Sequence, residues 1–133
     1  MSQIESNIDF LSVIKKELNS CIDSIGRSQA AFISTMDGHL LVYRDRADLE
    51  LEPLSPMSGS LIAISETLSS LLNKGELEST IIRTKECVLS LLKIKDSSNS
   101  LILGIVTSKM VNLGQLVTQG QLYADKIKNI LEM

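Results

Sequence analysis

The segment AFISTMDGHLLVYR, from Ala31 to Arg44, holds the clearest structural signal in the chain. Two short apolar runs flank Asp37-Gly38, a dipeptide that is typical of a tight turn between antiparallel strands. The segment therefore predicts a β-hairpin, and the elements on either side of it must complete a sheet that buries both runs.

The residues before the hairpin predict an amphipathic helix. Ser2 and Glu5 have the spacing of a capping box, in which each side chain satisfies a free amide at a helix start. Apolar residues then recur at helical intervals from Ile4 to Ile25, and Gly26 ends the pattern.

A polar, acidic segment with two prolines follows the hairpin and predicts a loop. Ser55 is the expected N-cap of a second helix, with Pro56 as its first residue, and the helix extends to about Asn73. Its apolar residues form one stripe, which consists of Met57, Leu61, Ile64, Leu68 and Leu71.

The other sides of this second helix carry small residues. A solvated side would usually carry Lys and Glu, so small side chains there indicate the close approach of another backbone. The apolar stripe is expected to be the packed side of the helix. A tolerant exposed face is the alternative interpretation. The small residues are Ser58, Gly59, Ala63, Ser65, Ser69 and Ser70, with Ile62 among them.

Three strand-like segments and a helix complete the chain. STIIRT (79–84), CVLSLLKIK (87–95) and SLILGIVT (100–107) are separated by short reversals and predict an antiparallel meander. SLILGIVT should be covered on both faces, whereas STIIRT suits an edge. Asn112 and Gln115 predict the start of the last helix, whose apolar stripe includes Leu113 and Val117. The expected fold is an α+β sandwich, in the order α-β-β-α-β-β-β-α, with one five-stranded antiparallel sheet in a single domain over residues 1–133.

Composition excludes several classes of function. The chain has 44% hydrophobic and 22% charged residues and a formal net charge of −3, so it offers no basic patch for nucleic acid. No apolar run is long enough to cross a membrane and no signal peptide is recognisable, which predicts a cytoplasmic protein. Cys21 and Cys87 form no CxxC pair and are expected to be reduced thiols, and no metal site is expected.

An active site is not apparent in the sequence. The chain has no glycine-rich phosphate loop, and its single histidine, His39, flanks the hairpin turn without an evident nucleophile. With 3% aromatic residues, an internal ligand pocket is not expected either. We therefore predict a protein that is not an enzyme, needs no cofactor and acts through a binding surface.

The chain resembles the roadblock/LC7 domain family. The resemblance covers residues from about 5 to 132 and is carried by the order of elements, by MDGHLLVY (36–43), by the glycine within LILGIV (101–106), and by MVNLGQL (110–116) at the start of the last helix.

The resemblance implies a profilin-like sandwich with strand order 2-1-5-4-3 and helices on both faces. It also implies a homodimer in which the third strands pair edge to edge and the second helices lie side by side. The residues that this dimer would place at its interface are Gly59, Ile62, Ala63, Glu66, Ser70, Thr80, Ile82 and Thr84.

The resemblance further implies a regulator or scaffold that binds a small Ras-like GTPase and, as an activator, stimulates its GTP hydrolysis. A tethering module without effect on nucleotide turnover and a small-molecule sensor are the alternatives. The candidate partner-binding residues are Ser58, Ser65, Ser69, Arg44 and Arg46. The two arginines are also the leading candidates for an arginine finger, and the alternative is that they are solvated or paired locally. Neither nucleic acid nor direct membrane insertion is expected.

Overall fold

The computed structural model describes residues 8–95 and 100–133. The elements follow the predicted order, and their bounds are α1 (Ile8–Ser24), β1 (Ser28–Thr35), β2 (Leu40–Asp45), α2 (Leu54–Leu72), β3 (Thr80–Arg83), β4 (Cys87–Lys95), β5 (Ser100–Ser108) and α3 (Leu113–Leu131). The predicted capping box at Ser2 and Glu5 and the reversal at 96–99 lie outside the described residues.

The five strands form one antiparallel sheet in the order β2-β1-β5-β4-β3, as expected. Strands β1 and β5 lie at its centre, and nearly all of their residues are buried because helices or loops cover both faces. Gly104 is opposite Phe32 in this pair, and a Cβ at Gly104 would lie 2.2 Å from the Phe32 ring. The glycine within LILGIV is therefore required for the ring to lie flat across β5.

The predicted hairpin is confirmed. Gly38 has φ +105°, a conformation that glycine adopts without strain, and its N–H donates to the Thr35 carbonyl at 3.2 Å. The Thr35 hydroxyl also accepts the N–H of His39 at 2.9 Å and bonds to the Asp37 carboxylate. These bonds join β1 to β2 and fix their register.

Helices α1 and α3 cover one face of the sheet and enclose the larger core. The N-cap prediction for α3 is confirmed, since Asn112 Oδ1 accepts the N–H of Gln115 at 3.0 Å. The Gln115 side chain does not close a capping box but instead accepts the N–H of Gly26 at 3.0 Å, which ties α3 to the end of α1. Leu113 and Val117, which we expected on the packed stripe of α3, are each 43% exposed.

Helix α2 lies on the opposite face and begins earlier than predicted. Its first residue is Leu54, preceded by Pro53 with φ −65°, so the prediction of Ser55 as N-cap was wrong. The Leu54 and Ser55 amides donate to the Leu51 and Glu52 carbonyls. The first helical turn therefore starts within the segment between β2 and α2, residues 46–53, which we call the acidic loop. The helix ends at Asn73, as predicted, and Asn73 adopts the left-handed conformation.

Candidate partner-binding surface

The apolar stripe of α2 faces outward. Met57, Ile64, Leu68, Leu71 and Leu72 are between 58% and 78% exposed, and Leu61 is half-buried. We call these six residues the outer stripe; they extend over about 22 Å of helix at 1.5 Å per residue. The prediction that this stripe is the packed side of α2 was wrong.

Small residues form the packed side of α2. Ser55, Ser58, Gly59 and Ile62 are the buried residues of the helix, and Ile62 alone among them has a large apolar side chain. A Cβ at Gly59 would lie 2.2 Å from the carbonyl oxygen of Met36, so the helix touches the hairpin backbone. The small residues do admit another backbone, as predicted, but that backbone belongs to the same chain.

This packing corrects part of the predicted interface. Gly59 and Ile62 lie on the side of α2 that is buried against the sheet, and Ser58 is only 3% exposed. None of the three can therefore contact a second protein directly. Ile62 instead joins Phe32, Leu51 and other buried residues in the smaller core. Leu51, from the acidic loop, fills space in this core that a larger side chain of α2 would otherwise fill.

The edge strand β3 offers a second apolar surface. It has four residues and one neighbour, β4, and Ile81 and Ile82 are 40% and 39% exposed. Thr80 and Ile82 pair with Leu91 and Leu89 of β4, so they lie on the α2 side of the sheet. An open edge with apolar side chains is a ready template for another strand.

A groove lies between the C-terminal half of α2 and the residues that lead into β3. One part, of about 690 Å³, is lined by Ser65, Leu68, Ser69, Leu72 and residues 74–80. The adjoining part, of about 570 Å³, reaches beneath α2. Here Lys93 Nζ and the Glu66 carboxylate form an ion pair at 3.1 Å. The groove therefore connects the outer stripe to the free edge.

The opposite edge of the sheet is partly closed. Lys15 of α1 donates a hydrogen bond to the Tyr43 carbonyl of β2, and its Nζ lies 5.3 Å from the centre of the Tyr43 ring. A lysine that occupies a strand carbonyl prevents another strand from using that carbonyl. Strand addition is therefore favoured at β3 rather than at β2.

Apart from the two candidate arginines, the remaining residues predicted for the dimer interface or for partner binding lie on α2, in β3 or directly after β3. Ala63, Ser70, Ile82 and Thr84 are exposed, and Ser65, Glu66, Ser69 and Thr80 are half-buried. Thr80 Oγ1 is itself buried and has no hydrogen-bond partner within the described residues. Sequence reasoning recognised the outer stripe except for Leu72 but expected it to be the packed side of α2.

The two candidate arginines are engaged within the chain. Arg44 forms an ion pair with Asp23 at 3.3 Å. Arg46 donates to Ser28 Oγ at 2.9 Å and to the Ile22 carbonyl at 3.2 Å. Both side chains are thereby directed to the C-terminal end of α1, and neither extends toward the outer stripe.

Two titratable groups of the described residues have a shifted pKa. Burial raises the pKa of the Cys21 thiol to about 12. A hydrogen bond from Thr35 is the main cause that lowers the pKa of Asp37, and His39 lies 3.4 Å from that carboxylate at the exposed hairpin tip. Within residues 8–95 and 100–133, no group of three or more acidic, histidine or cysteine side chains could hold a metal ion. No helix of the described chain is both long and apolar enough to cross a membrane.

Comparisons with known proteins identify the fold. No protein-family model matches the sequence, and no curated protein matches it significantly. Among solved structures, an MglB described with a tetrameric arrangement has a TM-score of 0.80 at 16% identity and covers 92% of this chain and 90% of its own. The gliding protein MglB from Thermus thermophilus has a TM-score of 0.79 at 15% identity, with 92% and 91% covered.

A third similar structure is a roadblock/LC7 domain from Streptomyces avermitilis. It has a TM-score of 0.77 at 8% identity and covers 90% of this chain and 98% of its own. These likenesses extend over nearly the whole length of both chains in each comparison. The chain therefore has the roadblock/LC7 domain fold.

Proposed function

We propose that this protein is a homodimeric, cytoplasmic regulator or scaffold that binds a small Ras-like GTPase and has no active site of its own. The outer stripe of α2 is the observation that carries the proposal. A helix that exposes its apolar side to solvent and packs its small residues on the sheet buries little apolar surface within one chain. Its packing in a single chain therefore contributes little free energy. Such a contiguous apolar surface is typical of a protein contact site.

Self-association accounts for the free edge. Pairing of β3 with the β3 of a second copy would satisfy the unpaired backbone groups of both edges in one symmetric contact. Because the groove connects β3 to Leu68 and Leu72, the same contact would bring the two α2 helices together. The tetrameric arrangement of an MglB of the same fold supports self-association as a property of such chains.

The GTPase is proposed as partner because of the resemblance to roadblock/LC7 domains, which the fold supports. The parts of the outer stripe that two paired helices leave uncovered form the binding platform. Regulation then consists of stabilising one arrangement of the partner's switch loops, so the protein must bind the GTP and GDP states with different free energies.

Binding to a Ras-like GTPase from the same organism tests this function. The GTPase is loaded with GDP or with a non-hydrolysable GTP analogue, and its affinity is measured by calorimetry. We expect at least about a tenfold preference for one nucleotide state. Equal affinities would instead favour the tethering module, and a lack of binding in both states would contradict the GTPase proposal.

The same partner allows the candidate arginines to be examined. Because Arg44 and Arg46 bond to the end of α1, we expect the double variant Arg44→Ala plus Arg46→Ala to stimulate GTP hydrolysis as the wild type does. A loss of about a thousandfold in the stimulated rate, with binding retained, is the result expected of an arginine finger and would contradict this assignment.

A further inference from the structure

A second cleft lies beside β2, remote from the outer groove. It has a volume of about 370 Å³ and is lined by Leu40, Tyr43, Asp45, Leu49, Glu50, Leu51, Glu52 and Pro53. Because β2 and β3 are the two outermost strands, the cleft and the proposed dimer edge are at opposite ends of the sheet. A dimer through β3 would leave the cleft open.

The loop that forms the cleft is held in place by its own hydrogen bonds. The Asp45 carboxylate accepts the N–H of Ala47 at 3.0 Å and of Leu49 at 2.7 Å, and Asp48 has φ +54°. Leu51 is buried against the sheet and anchors the far end of the loop. The cleft is thus preformed, which lowers the entropy cost of binding.

The lining combines an apolar floor and an acidic rim. Tyr43 is 50% exposed and Leu49 is 36% exposed, so apolar surface is open to a ligand. Glu50 and Glu52 are exposed and form no ion pair within the described part of the chain. No basic residue belongs to the lining, and Lys15 reaches the Tyr43 ring from the sheet edge.

We propose that this cleft binds a short segment of a partner protein in which lysine or arginine side chains alternate with aliphatic ones. Aliphatic side chains of the segment would cover Leu49 and Tyr43, while its cations would approach Glu50 and Glu52. Since Lys15 already bonds to the Tyr43 carbonyl, the segment binds through side chains rather than as an added strand.

A capped hexapeptide of alternating lysine and leucine is the probe, and amide chemical shifts of the isotope-labelled protein are the readout. We expect shifts confined to residues 40–53, and an affinity that falls at least about tenfold in the double variant Glu50→Lys plus Glu52→Lys. The control double variant Asp125→Lys plus Glu132→Lys changes net charge equally on exposed residues of α3 and the position after it, and should bind as the wild type does.

The proposal would be overturned by equal binding of a hexapeptide with glutamate in place of lysine, by shifts that map to the outer stripe, or by equal loss of affinity in the control variant. Shifts at residues 40–53 on concentrating the protein alone would assign the cleft to a second copy and also overturn it. Should the Glu50 and Glu52 variant not fold, Leu49→Ser, which keeps every charge, is expected to weaken binding by removing exposed apolar surface.

Discussion

Gly59 of α2 and Gly120 of α3 show that the neighbours of a helical glycine decide whether alanine can replace it. A Cβ at Gly59 would lie 2.2 Å from the Met36 carbonyl oxygen, a backbone atom that cannot move aside cheaply. A Cβ at Gly120 of α3 would meet only side-chain methyl groups of Ile105 and Leu92, at 3.5 Å. Helix propensity favours alanine at both positions by up to about 1 kcal/mol, so the local contacts decide the outcome.

We expect Gly59→Ala to lower the free energy of unfolding by about 1–3 kcal/mol, the range found when a packed site is overfilled. Gly120→Ala, its matched control, should be neutral or stabilising. Urea denaturation followed by circular dichroism measures both. If Gly59→Ala were as stable as Gly120→Ala, α2 would not lie against the hairpin as described.

The two cysteines should differ in reactivity. Cys21 is buried, which makes its thiol inaccessible to a reagent and raises its pKa to about 12, so the thiol stays protonated at pH 8. Cys87 is half-buried near the β3–β4 turn. In the folded protein we expect a disulfide reagent to label Cys87 and to reach Cys21 only after denaturation. Prompt labelling of Cys21 at pH 8, identified by mass spectrometry of peptides, would contradict the core packing around α1.

At the scale of the element, helix α2 packs on the smaller core through Ile62, with the partly buried Leu54 and Leu61 beside it. Ile62 is fully buried, whereas Leu68 of the outer stripe is 58% exposed. Deletion of a buried isoleucine side chain commonly costs about 2–5 kcal/mol. We expect Ile62→Ala to cost an amount in this range and to accelerate amide exchange in α2 before α1 or α3, with Ala63→Ser as a matched exposed control.

Exchange measured by mass spectrometry at low protein concentration separates this effect from self-association. An unchanged exchange rate across residues 54–72 in Ile62→Ala would show that other contacts hold the helix. The prediction concerns stability alone and is independent of what binds the outer stripe.

The sequence predicted the elements well because each has its own local signal. Asp37-Gly38 determines the hairpin, Asn112 determines the start of α3, and the continuous apolar run of β5 agrees with a strand covered on both faces. The orientation of α2 was not predictable in this way. Periodicity separates two sides of a helix, but which side is covered depends on what the sheet presents to it.

In α2 the determining partner is the Met36 carbonyl, which lies close enough to admit only Gly59, while Leu51 fills the space beside Ile62. Both contacts join residues that are distant from one another in sequence, so a helical pattern does not contain them. For the same reason, the predicted interface included Gly59 and Ile62, which are buried within the chain. The groove and the β2 cleft also arise from tertiary contacts.

At the scale of the whole molecule, the surface is asymmetric between its two edges. Lys15 occupies a carbonyl of β2, while β3 exposes Ile82 on the side of the sheet that carries the groove and the outer stripe, and Ile81 on the other side. A second copy that paired at the Tyr43 carbonyl of β2 would have to displace Lys15, whereas the β3 edge is open. Our central claim is therefore that two chains join through β3 and α2 and present a single platform to a GTPase.

Size-exclusion chromatography with light scattering tests this claim most directly. We expect the wild type to have the mass of two chains and Leu68→Lys plus Ile82→Lys to have the mass of one, because both lysines would be buried at the contact. The matched control, Leu113→Lys plus Val117→Lys, changes similarly exposed residues of α3 and should remain a dimer. A monomeric wild type, or a Leu68 and Ile82 variant that stays dimeric, would contradict the shared edge and the platform built on it.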